Sequence, residues 1–98
     1  MLYVFVGNHL AGTTEAERAA ALTRREQWQW PEGSQPVAEF WSSASASLVC
    51  SLFEANDTAV VFQFAADWND VFDGVVVPVA TPEQGRKIGF AIAARGGG

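Results

Sequence analysis

His9 is the only histidine in the chain and the only side chain whose ordinary pKa lies near neutrality. A lone histidine can serve as a general base, or as one ligand of a metal shared across a dimer. The alternative is a hydrogen-bonded surface histidine. A conventional multi-histidine metal site within one chain is excluded. Glu39 is the second candidate. It alternates with Trp41 about Phe40, so Glu39 and Trp41 share one face of an extended segment. Among apolar neighbours Glu39 can act as an acid or base; on an open edge it is a solvated carboxylate. Tyr3, Phe5 and Trp41 are aromatic side chains able to line a flat ligand pocket. For Trp41 the competing reading is packing in a dimer interface.

Other residue groups carry weaker chemistry. Asp67, Asn69, Asp70 and Asp73 lack the twelve-residue spacing and closing Glu of a calcium loop. Cys50 shares a strand face with Leu48 and Leu52 and reads as a buried small hydrophobe. Gly96 to Gly98 follows no strand and precedes no Lys-Ser/Thr, so it is no phosphate loop. Trp28, Trp30 and Trp68 sit at helix ends, where they plug core edges or rim a pocket mouth.

These side chains need a frame, and composition bounds it. The 98 residues suit a single domain, 1–98. Apolar residues make up 49% and charged residues 17%, against about 25% charged in an ordinary soluble domain. Disordered tails, coiled coils and disulfide scaffolds are thereby excluded. A net charge of −5 argues against nucleic acid as a partner, because phosphate binding needs clustered Lys and Arg. No apolar run approaches the ~20 residues of a membrane helix, so no membrane partner is expected. The N-terminal segment lacks a basic region and a cleavage site and reads as a strand. One cysteine suits a cytoplasmic location. Few charges on so small a domain point to an acidic homo-oligomer with apolar area turned to a partner or ligand. From Glu26 to Glu83 there are nine carboxylates and no Lys or Arg. They form solvated acidic loops or, alternatively, an acidic cation site.

The elements follow from pattern. Leu2 to Val6 is a strand apolar on both faces, ending in a turn at Gly7-Asn8-His9. Thr14 and Glu17 form a capping box for a helix reaching Trp30, with Ala16, Ala19, Ala20, Thr23, Gln27 and Trp30 on one face. Pro31-Glu32-Gly33 ends it. Pro36 to Trp41 is a second strand and Ser42 to Ser47 a hairpin loop. Leu48 to Ala55 is a third strand. From Asp57 to Trp68 strand propensity conflicts with helical spacing at Val61, Phe64, Ala65 and Trp68, and the spacing predicts a helix. Asn69 to Gly74 is a turn. Val75 to Val79 is a fourth strand, at an edge because of Pro78. Thr81-Pro82-Glu83-Gln84 starts a short C-terminal helix that Gly85 and Gly89 weaken, and Gly96 to Gly98 is a frayed tail. The order βαββαβ plus a helix is α+β and ferredoxin-like, with a four-stranded antiparallel sheet. Both helices cover one sheet face. The other face is free to pair with a second copy as a dimeric α/β barrel.

The stretch Leu48-Val49-Cys50-Ser51-Leu52-Phe53-Glu54-Ala55-Asn56-Asp57 resembles a strand and helix start of a small bacterial family of unknown function. Trp68-Asn69-Asp70-Val71-Phe72, Val77-Pro78-Val79 and Thr81-Pro82-Glu83 resemble the ending of the same family, and a first strand closing on Asn8-His9 is compatible with it. That family is similar to the dimeric α/β-barrel superfamily. The resemblance implies a fold shared by cofactor-free monooxygenases, lactone isomerases, polyketide cyclases, and haem- and metal-handling proteins; fold does not choose among them. The metal-binding members are richer in histidine. The expectation is a small enzyme without an organic cofactor, acting on a hydrophobic or aromatic molecule in a natural-product tailoring step. His9 or Glu39 would move a proton, and Tyr3, Phe5 and Trp41 would line the pocket. The alternative is a non-catalytic homodimer that binds a small ligand or metal. In a third reading the open face merely dimerises and side chains fill the cavity.

Overall fold

A computed structural model describes residues 1–42 and 48–96. In chain order the elements are β1 (Leu2–His9), α1 (Glu15–Gln27), β2 (Ser34–Trp41), β3 (Val49–Ala55), α2 (Thr58–Trp68), β4 (Phe72–Val79) and α3 (Pro82–Gly96). The strands form one antiparallel sheet in the order β2-β3-β1-β4. This is the ferredoxin-like βαββαβ order with a helix added at the end, and Pro78 lies on an edge strand as expected. The Ser42 amide donates to the Leu48 carbonyl at 2.8 Å, closing the β2–β3 hairpin. The rest of the serine-rich loop, residues 43–47, lies outside the described residues, as do Gly97 and Gly98.

Strand alternation separates the two sheet faces. Tyr3 and Phe5 are buried, and the register sets them level with Phe53 and Ser51 on β3. Leu2, Val4 and Val6 turn to the opposite face, level with Leu52 and Cys50 on β3 and with Val75, Val77 and Val79 on β4. The core therefore lies between the sheet and α2. Phe53 is fully buried and stacks on Phe64 with ring centroids 4.9 Å apart. Trp68 and Ala55 complete it. The β-branched run in α2 is helical because Asp57 caps it, accepting from the Val60 amide at 3.1 Å, and because helical spacing alone buries both Phe64 and Trp68.

Four local expectations change. β1 runs on to His9 because β4 begins at Phe72, giving Gly7, Asn8 and His9 the partners Gly74, Asp73 and Phe72. The expected turn at Gly7-Asn8-His9 is therefore strand, and the turn after α2 is shorter than Asn69 to Gly74. The Phe5 ring lies over this extension: a Cβ at Gly7 would sit 2.5 Å from Phe5 Cζ, and one at Gly74 2.8 Å from its Cε1. Second, α1 has the expected capping box, but it stops at Gln27, and the alanine stripe does not face the sheet. Ala16, Ala19, Ala20 and Thr23 are exposed; Ala21 alone is buried. Alanines offer little area to bury. The stripe that turns toward the sheet is Arg18, Ala21, Leu22 and Arg25, of which Arg25 is half-buried and reaches Glu39. Third, Cys50 is half-buried, because it lies on the face that carries no helix.

Fourth, α3 is not short. Thr81 and Gln84 form the expected reciprocal cap, at 3.0 and 3.1 Å. The helix then continues for 15 residues through Gly96, past both internal glycines. An alanine-rich second half supplies the propensity that carries it on. None of its residues is buried. The radius of gyration is accordingly 16.4 Å, against about 13 Å for a compact domain of this length. No helix among the described residues is long and apolar enough to cross a membrane.

Candidate functional site

The two helices do not cover the sheet alike, and the difference makes the site. α2 presses aromatic rings onto β1 and β3. α1 is held mainly by polar contacts near its C-terminal end. Arg24 donates to both oxygens of Asp70 at 3.0 Å and to the Asp67 carbonyl, and its guanidinium lies over the Trp68 ring. Trp28 Nε1 donates to Asp67 at 2.9 Å. Arg25 donates to Glu39 at 3.2 Å, reaching across to β2. Clamped in this way, α1 stands off the sheet. A cavity of about 80 Å³ remains between them, partly open to solvent.

Its floor is the helix-covered sheet face. Phe5 and His9 come from β1, Glu39 and Trp41 from β2, Val49 and Ser51 from β3. The α1 wall is Arg18, Ala21, Leu22 and Arg25, at the i, i+3, i+4, i+7 spacing of one helical stripe. Trp28, Phe64, Trp68 and Phe72 close the inner end. Most of this lining is aromatic or aliphatic, with polar groups at few points, which is the usual make-up of a small-molecule site.

The polar groups differ in what they have left to offer. Glu39 is half-buried and heavily engaged, accepting from Trp41 Nε1 at 2.7 Å, Ser51 Oγ at 3.1 Å and Arg25 at 3.2 Å. His9 packs its ring 4.9 Å from Phe72. Its Nδ1 is buried and has no hydrogen-bond partner. Burial, and secondarily the Arg18 guanidinium, hold the imidazole pKa below its ordinary value. His9 is therefore neutral at neutral pH. Arg18 forms no ion pair among the described residues.

Four of the five residues singled out from sequence thus meet in one cavity: His9, Glu39, Phe5 and Trp41. Tyr3 does not. It stacks on Phe53, with ring centroids 5.9 Å apart, and its hydroxyl reaches Met1 Sδ at 3.5 Å. One pleat before Phe5 on β1, it falls under α2 rather than α1. The sequence reading missed the α1 wall. Its signal is the helical spacing of Arg18, Leu22 and Arg25. Asp67, in the last turn of α2, and Asp70, in the turn that follows, serve as anchors for Trp28 and Arg24. No group of three or more His, Cys, Asp or Glu able to hold a metal ion occurs among the described residues.

No curated protein matches the sequence. A family model does, over residues 1–92, which takes in the whole sheet, both covering helices and most of α3. The chain therefore belongs to the family described as a domain of unknown function, DUF3303.

Proposed function

We propose that the chain is a small enzyme that holds a mostly apolar molecule in the cavity under α1 and exchanges a proton with it through His9. The observation that carries this reading is the buried, unpartnered Nδ1 of a neutral imidazole lining an aromatic cavity. Such an atom costs stability unless something pairs with it, and a polar group of a ligand relieves that cost once a turn of the ring brings Nδ1 to the cavity. Proton transfer by histidine needs no organic cofactor, and isomerase-, cyclase- and cofactor-free monooxygenase-like steps can all begin with it. Glu39, occupied by three donors, acts here by positioning: it fixes Arg25 and Trp41 at the cavity wall.

The test is an NMR screen of small apolar compounds read at the His9 ring nitrogens, followed by incubation of each binder in D₂O. Binders should shift the His9 signals and take up deuterium, and His9→Gln should stop the exchange while binding persists. Binding without exchange would favour the alternative, a non-catalytic ligand-binding module. Compounds that bind without moving His9 would sink the proton-transfer reading.

A second copy of the chain is the proposed occupant of the open sheet face. Phe40, Val75 and Val77 are all exposed there. A two-fold pairing needs only one self-complementary patch. Four strands of about eight residues present roughly 500 Å², short of the ~800 Å² per partner of a stable interface. α3, with Ile88, Phe90 and Ile92 exposed, has the apolar area to supply the remainder. Native mass spectrometry should show a dimer, and removal of residues 82–98 should weaken it; a monomer at micromolar concentration refutes the pairing.

A further inference from the structure

The α1 wall carries one positive charge more than the cavity neutralises. Arg25 is matched by Glu39. Arg24, on the neighbouring stripe, is matched by Asp70, and Lys87 on α3 by Glu83. Arg18 lines the cavity and has no carboxylate partner among the described residues. Of the lining residues only Arg18, Arg25 and Glu39 carry full charge, so the lining sums to +1 in a chain whose net charge is −5. An acidic protein thus places an unmatched guanidinium at the cavity wall, facing the same space as His9.

Building on the proposed cavity function, we infer that its ligand is a small carboxylate: the apolar body enters among Phe5, Trp28 and Phe64, and the carboxylate pairs with Arg18 beside His9. A guanidinium suits a carboxylate because its planar donors match the two oxygens. The size of the space limits the body. About 80 Å³ is less than the roughly 150 Å³ cavity that takes up a benzene ring, so a short branched chain or part of one ring fits inside. The carboxylate stays toward the open side. Arg18 also bears on proton transfer: a cation beside the carboxylate stabilises the extra negative charge that deprotonation next to that group creates.

The test uses matched acid and amide pairs of nearly equal shape: isobutyrate and isobutyramide, isovalerate and isovaleramide, benzoate and benzamide. Binding is read at pH 7.5 from the fluorescence of Trp28, Trp41 and Trp68, which line the cavity. At least one acid should bind about tenfold more tightly than its amide, as a charge-assisted contact implies. Arg18→Gln should reduce that preference to less than about twofold, and Arg18→Lys should fall between the two, because an ammonium keeps the charge but loses the paired donors. Arg18 is exposed and makes no ion pair, so both variants should fold. Amides that bind as well as acids, or a preference that survives Arg18→Gln, overturn the carboxylate inference and leave the cavity reading standing. If neither member of any pair binds, both fall.

Discussion

Against α2 the sheet packs aromatic rings; against α1 it is held by polar clamps. α2 buries Phe64 and Trp68 against Phe53 and Phe5. α1 buries only Ala21 and is moored by Arg24, Arg25 and the Trp28 indole to carboxylates on other elements. Apolar packing draws surfaces together until space is filled. Polar clamps fix a separation instead, because each bond has a set length and ends in a charge that stays partly wet. The same sheet face thus carries an aromatic core under Phe64 and Trp68, flanked by a groove between α2 and β4, and the aromatic-lined cavity beside α1.

Breaking the aromatic packing of α2 should cost most. Phe64→Ala removes a ring that packs against Phe5, Trp30 and Phe53. It should lower unfolding free energy by about 3–5 kcal/mol, measured by urea denaturation. A loss below about 1 kcal/mol would mean that the α2 side is no better packed than the α1 side. Arg25→Ala tests a clamp. It strips Glu39 of its cation and should cost about 1–2 kcal/mol, with increased amide exchange confined to α1 and β2. Uniform exchange across the sheet would contradict the separation of the two sides.

Ala21→Leu tests the space itself. With a cavity above it, the larger side chain should be accommodated within about 1 kcal/mol and should abolish binding of the small probes. A destabilisation above about 3 kcal/mol would show that the gap is closed in solution. The smallest effect concerns His9. Its folded pKa is depressed, so the folded state disfavours the charged form. The associated stability is fully present above pH 6.5, the unfolded value, and is lost as pH falls through the lower folded value. Thermal melts between pH 7.5 and 5 should show this decline, and His9→Gln should flatten it. Carboxylates titrate mainly below that window, so a slope unchanged in His9→Gln would place the titration elsewhere.

Local pattern was enough for the elements and their order. Thr14–Glu17 and Thr81–Gln84 cap helices through bonds three residues apart, which depend on little else. Period-two alternation placed Glu39 with Trp41 on a shared face, because a strand reverses its side chains at each residue. Helical spacing in α2 outweighed its β-branched composition, since only a helix could bury Phe64 and Trp68 together. Other features depended on residues far apart in sequence. The register of β4, starting at Phe72, extended β1 to His9. Tyr3 and Phe5 share a face, yet the lateral positions of the helices put one under α2 and the other beside the cavity. The orientation of α1 was hidden because Arg18 and Arg25 look solvent-bound until Glu39, fourteen residues beyond Arg25, is brought across from β2. Sequence alone determined which local structures form and which side chains alternate together. Tertiary structure alone decided which of those side chains surround one space, because long-range ion pairs and helix placement set that distance, and neither leaves a periodic signal.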